Sequence, residues 1–229
     1  MKKFELTTDF ITVFGIKLFR IKSLISFGNV KEGELGGYVE KEENLSHEGN
    51  AWVYGNARVY GDAMVSGNAR VYGDARVYGN AWVYGNAWVY GNARVYGDAM
   101  VYGDAMVSGN AWVYGDAMVS GNARVYGDAM VYGDAMVSDD ARVYGDAMVS
   151  GNARVYGDAD YATLKGFGSV HRNTTFFRTK ENNVKVVCGC FYGTLEEFRE
   201  KVKETHGESK IAKEYLMIAD LMEYHFKEE

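Results

Sequence analysis

The chain has 229 residues, a formal net charge of −6, two cysteines and no proline. The acidic balance argues against a nonspecific grip on nucleic acid or on an anionic membrane. No signal peptide and no apolar run of membrane-spanning length is visible, so a cytoplasmic location is expected.

Residues 1–48 open with Phe10-Ile11-Thr12-Val13-Phe14, then Gly15, then Ile16 to Ile21 in alternation. That pattern predicts a hairpin, whose task is to cover the exposed end of a stack of strands. Val39 and Leu45 lie twelve and six residues before Ala51, which predicts a degenerate first coil with both in the register of that alanine.

From Gly49 to Tyr156 one six-residue unit recurs eighteen times: Gly (Asp139 in one unit), Asn or Asp, Ala, a variable residue, Val, then Tyr or Ser. Ala, the variable residue, Val and Tyr alternate as a short strand, and Gly with Asn or Asp makes a corner. The variable slot holds Trp four times, Met seven and Arg seven. A narrow interior has no room for that set, so Ala and Val point inward and the large residues outward. Three hexads close a coil, and eighteen give about six coils at roughly 4.8 Å per coil.

Sorting hexads by three yields three outward faces. One stacks Arg58, Arg76, Arg94, Trp112, Met130 and Met148 beside Tyr60, Tyr78, Tyr96, Tyr114 and Tyr132. A second stacks Met64, Trp82, Met100, Met118, Met136 and Arg154; the third runs Trp52, Arg70, Trp88, Met106, Arg124 and Arg142. Tyrosine ladders serve the stack itself. A run of Met and Trp on a flat face predicts burial against another molecule, and a homo-oligomer, dimer or trimer, is the leading expectation.

After Ala162 the period stops, which divides the chain into residues 1–48, 49–162 and 163–229. Strands around Thr174–Thr179 and Val184–Cys188 flank Glu181-Asn182-Asn183 as a hairpin. Thr194 and Glu197 have the spacing of a capping box, Gly207 ends that helix, and Ile211, Tyr215, Ile218 and Met222 mark a second helix. The expectation is a ββαα module, serving as a cap or as a partner-binding head.

The strings GNARVYGDA and GNAWVYGNA resemble hexapeptide-repeat proteins, which fold as left-handed parallel β-helices. Phe27–Gly33, Gly36–Glu40 and Asn44–Gly49 resemble the entry segment of a bacterial and prophage group of such solenoids, and Cys188–Phe198 with Lys203–Gly207 resembles a C-terminal module of prophage proteins. The implied fold is mainly β: a left-handed parallel β-helix with an N-terminal hairpin cap and a small α+β C-terminal module. The implied setting is a phage or prophage; with the cytoplasmic expectation above, this places the chain in the host cell cytosol, and a host or phage protein is expected as a further partner.

Hexapeptide solenoids that catalyse acyl transfer or hold zinc use histidines on the coils. The eighteen hexads contain no histidine, cysteine, lysine or glutamate; His47, His171, His206 and His225 lie in the flanks. A non-enzymatic binding or scaffold protein without a cofactor is therefore the expectation. Its surface residues are Met64, Trp82, Met100, Met118, Met136, Trp52, Trp88, Trp112, Arg58, Arg76, Arg94, Tyr60, Tyr78 and Tyr96. An acyltransferase-like enzyme with a site between subunits and a glycan-binding rod are the alternatives. The positions where a cation would be held are the stacked carboxylates Asp98, Asp116 and Asp134 and the pair Cys188 and Cys190 on one strand side, with solvated corners and buried thiols as the plainer expectation.

Overall fold

The computed structural model describes residues 2–168 and 170–227. Strands β1 (Phe4–Val13) and β2 (Ile16–Ser23) form the expected hairpin, with Phe14 and Gly15 both in the left-handed region, at φ 49° and 84°. That pair of positive φ values is what a tight two-residue hairpin turn demands. Strand β3 (Leu35–Val39) comes next, then eighteen two-residue strands, β4 to β21, running from Trp52–Val53 to Arg154–Val155.

Every third strand pairs in parallel, as in Trp52 with Arg70 and Met100 with Met118. The eighteen-residue coil and the three faces predicted from the hexads are thereby formed. All the inward Ala and Val side chains are buried in one continuous core along the rod. The coil count is about seven rather than six, because β3 adds a rung ahead of β5 (Arg58–Val59) and Leu45 bridges Val65. Val39 pairs with Val59, so both Val39 and Leu45 fill valine positions, not the alanine register expected for them. The two extra residues lie between Leu45 and Val53, which are eight apart where successive valines of the hexads are six apart, and they shift the register of this first coil.

Parallel pairing gives the rod a polarity that dictates its caps. Each coil donates to the next, as when the Arg58 amide bonds the Ala75 carbonyl and the Arg76 amide bonds the Ala93 carbonyl, both at 2.9 Å. The first coil is thus left with carbonyls to satisfy and the last with amides. Donors meet the former: Lys3 Nζ reaches the Ala51 carbonyl at 2.9 Å, and Asn44 Nδ2 reaches those of Gly61 and Ala63 at 3.0 and 2.8 Å. Acceptors meet the latter: Asp158 Oδ1 takes the Arg142 amide at 3.0 Å, Thr175 Oγ1 that of Met148 at 3.0 Å and Asp160 Oδ2 that of Tyr156 at 2.8 Å.

The C-terminal module has four antiparallel strands, not two: β22 (Tyr161–Phe167), β23 (Arg172–Arg178), β24 (Val184–Cys188) and β25 (Phe191–Thr194). Helices α1 (Leu195–His206) and α2 (Lys210–His225) complete it, α1 opening with the predicted Thr194–Glu197 capping box and closing at Gly207. Strands β22 and β25 carry Gly166 and Gly193, which weaken their strand signature. The period-two alternation of β23 and β24 assigns the two faces of this sheet. Phe177 and Val187 enter the rod core, while Phe176 and Val186 pack with Phe198, Tyr215 and Ile218 under the helices. The sheet therefore closes the last coil. Among the described residues no helix is long and apolar enough to cross a membrane.

Corner geometry explains the glycine column. Gly85 has φ 71°, and a Cβ there would lie 2.9 Å from the Gly103 nitrogen of the next coil. We expect Gly85→Ala to destabilise the rod by about 1–3 kcal/mol in thermal denaturation. Asp139 stands in one such corner with φ 55°. Asp139→Gly is expected to raise the melting point, recovering about 0.5 kcal/mol or more of left-handed backbone cost.

Candidate functional site

Strand spacing places identical side chains one above another. On the first face the rings of Tyr60, Tyr78, Tyr96, Tyr114 and Tyr132 stack within 4° of parallel, with centroids 4.8–5.0 Å apart. Burial within the column raises the phenol pKa of Tyr60, Tyr78, Tyr96 and Tyr114 above its ordinary value. Beside them the Arg94 guanidinium sits 4.6 Å from the Trp112 ring centre.

Two residues expected on the binding surface are not available to a partner. Trp52 has 0% exposure, its ring centre 6.2 Å from Phe4 and 5.4 Å from Phe27. Tyr60 is buried with Leu18 and Tyr38. Both occupy outward slots, but the N-terminal segment folds back over the first coils and covers them. The local pattern is the same as in every other hexad, so only the long-range placement of residues 1–48 separates them from their repeats.

The second face keeps its expected order. Met64, Trp82, Met100, Met118, Met136 and Arg154 follow one another up a single six-stranded sheet. Met64 and Trp82 are 36% and 51% exposed, while Met100, Met118 and Met136 are half-buried by their own neighbours in the column. On the third face Trp88, 37% exposed, lies 5.3 Å from the Arg70 guanidinium. An open groove of about 400 Å³ runs between the Arg70–Trp88–Met106 column and the corner residues Asn68, Asn86 and Asp104.

The corners carry a feature not anticipated from the hexads. Asn50 Nδ2 donates to Asn68 at 3.1 Å, Asn68 to Asn86 at 3.0 Å and Asn86 to Asp104 at 2.9 Å, a ladder of side-chain amides climbing one edge. Its signal was present in the sequence as Asn or Asp recurring at eighteen-residue intervals. Asn92, Asn110 and Asp128 form a second such ladder, at 3.1 and 3.0 Å, whereas Asp98 accepts one bond, from Asn80 at 2.8 Å. Among the described residues no group of three or more His, Cys, Asp or Glu side chains is placed to hold a metal. Stacking sets Asp98, Asp116 and Asp134 in a line rather than around a point, and they form no cation cage. Cys188 and Cys190 do not share a strand face: Cys188 ends β24, and Cys190 lies in the turn beyond it, where Gly189 takes φ 62°.

The flanking histidines separate. His47 is structural, stacked on Phe4 at 4.4 Å, accepting the Lys3 amide at Nδ1 and bonding Glu42 through Nε2 at 2.6 Å. His171 Nδ1 lies 3.0 Å from the Gly166 carbonyl. His206 stacks on Tyr215 at 6.0 Å and borders, together with Cys188 and Cys190, a cavity of about 310 Å³ between α1 and the β24–β25 turn. Cys188 Sγ accepts a hydrogen bond from Thr174 Oγ1 at 3.2 Å and lies 3.9 Å from the Tyr215 hydroxyl.

The hexad region matches the model of the YdcK beta solenoid repeat in eleven overlapping segments, which together span residues 51–115 and 123–157. No curated protein matches the chain.

Proposed function

We propose that this chain, a capped rod of YdcK-type beta solenoid repeats, is a non-enzymatic binding or scaffold protein of phage or prophage type, acting in the host cytosol. Its second face is the contact surface, and a second copy of the chain is its first occupant, with a host or phage protein as the further partner. One observation carries the reading: five large apolar side chains, Met64 to Met136, stand in register on one flat sheet with no charged side chain in the column before Arg154. Within the column itself two copies brought face to face meet no like charge, the carboxylates of Asp62, Asp98, Asp116 and Asp134 standing at the corner beside it, and methionine adapts to imperfect registration. Isolated exposed apolar residues need no partner, but a contiguous strip of them does.

Replacing Met100, Met118 and Met136 together by lysine tests it by light scattering. The expected result is an oligomer for the parent chain and a monomer for the variant, with the rod still folded because these side chains point away from its core. A parent chain that is monomeric at all concentrations removes self-association, and an oligomer that persists in the variant removes this face.

A second reading, glycan binding, has its own support in the Trp88 groove, where an aromatic ring lies beside the amides of Asn68 and Asn86 and offers the flat apolar face that a sugar ring packs against. The acyltransferase alternative lacks a comparable observation: the hexads hold no histidine, and the described flanking histidines are engaged in contacts with the cap and the module.

A further inference from the structure

We propose that the C-terminal module binds a small organic carboxylate with an apolar body, in the cavity between α1 and the β24–β25 turn. The site lies far along the chain from the rod faces and is independent of their role. Its walls are aromatic and aliphatic: Phe191 and Phe198 meet at 5.5 Å, and Phe198 meets Tyr215 edge-on at 5.6 Å. At about 310 Å³ the space falls at the small end of ligand pockets, which run from about 300 to 1,000 Å³.

Charge specifies the other half of the ligand. Arg172 and Lys201 both border the cavity, and among the described residues no acidic one does. In a chain with net charge −6 this is a local reversal of sign. The module's other arginines are satisfied, Arg178 by Asp160 and Arg199 by Asp220 and Glu223. Arg172 alone among them has no hydrogen bond or ion pair among the described residues. A guanidinium presents a planar pair of donors matched to a carboxylate.

Two glycines hold this arrangement open. A side chain at Gly189 would overlap Nη1 of Arg172, and one at Gly168 would overlap the Tyr215 hydroxyl. The backbone thus leaves room for the two polar groups at the cavity. Burial pushes the Tyr215 pKa up to about 12, so its hydroxyl remains protonated and able to donate to an anion. One guanidinium, one ammonium already shared with Glu204, and one hydroxyl suffice for a monoanion but leave a phosphate dianion poorly served.

The test is calorimetric titration of the full chain with phenylacetate and octanoate, with phenylacetamide, acetate and inorganic phosphate as controls. The expected result is saturable binding of at least one of the two carboxylates, at least about tenfold tighter than phenylacetamide, acetate or phosphate. Arg172→Gln should erase the preference for phenylacetate over its amide with an unchanged melting point, since Arg172 is exposed and bonds nothing that folds the module. Phe191→Ala should weaken acid and amide alike. Absence of saturable binding up to about 10 mM overturns the proposal, because a weaker site carries no useful affinity. So does equal binding of the amide, which removes the charge, or equal binding of acetate or phosphate, which removes the apolar body.

Discussion

Val95→Asp is expected to unfold the middle of the rod. Val95 has 0% exposure and pairs with Val77 below and Val113 above, so a carboxylate there has only aliphatic neighbours. A buried, unpaired charge costs several kcal/mol even after its pKa adjusts. Stacked coils transmit the damage, because each coil's amides bond the carbonyls of the next, and a repeat array gains its stability from such nearest-neighbour interfaces. The neighbouring change Arg94→Ala removes only a half-exposed side chain and its contact with Trp112, and should cost about 1 kcal/mol or less. Urea denaturation followed by circular dichroism separates the two. Equal midpoints for both variants would contradict the inward assignment of valine.

Alkaline pH is the second strong lever. Burial holds Tyr60, Tyr72, Tyr78, Tyr84, Tyr96 and Tyr114 above the ordinary phenol value of 10.0. An unfolded chain releases these protons more readily than the folded one. The stability they contribute is therefore intact below pH 10 and lost as pH climbs through the raised folded values. Lys3 acts in the opposite sense. Burial lowers its pKa from 10.5 to about 8, so the charged form is disfavoured in the fold and stability rises between those two values. The melting point should accordingly climb modestly from pH 8 towards 10 and then fall as the tyrosine columns ionise. Lys3→Met should remove the rise, and Tyr78→Phe with Tyr96→Phe and Tyr114→Phe should move the fall to higher pH. An alkaline midpoint unchanged in the triple variant would show that the column plays no part in it.

Different physical causes made different parts of this molecule legible. A strict six-residue period is enough to set the coil: alternation puts Ala57 and Val59 on one side of each strand and Arg58 and Tyr60 on the other, and a positive-φ glycine sets every corner but one. The three columns, the capping box at Thr194 and the stop at Gly207 rest on local spacing, and local spacing was enough for them. The fates of Trp52 and Tyr60 were beyond it, because their hexads read like all the others and only the folding back of residues 1–48 buries them. The same holds for the seventh coil, where two extra residues between Leu45 and Val53 move Val39 and Leu45 from the alanine to the valine register. The caps required the tertiary structure for a further reason. That the first coil exposes carbonyls and the last exposes amides is a consequence of parallel stacking, but which side chains answer them, Lys3 and Asn44 at one end and Asp158, Asp160 and Thr175 at the other, depends on chain segments meeting across distances no local pattern encodes. The cavity beside Arg172 is of that kind too: its walls come from three strands, the turns between them and two helices, and its charge is what remains once the other arginines have found their partners.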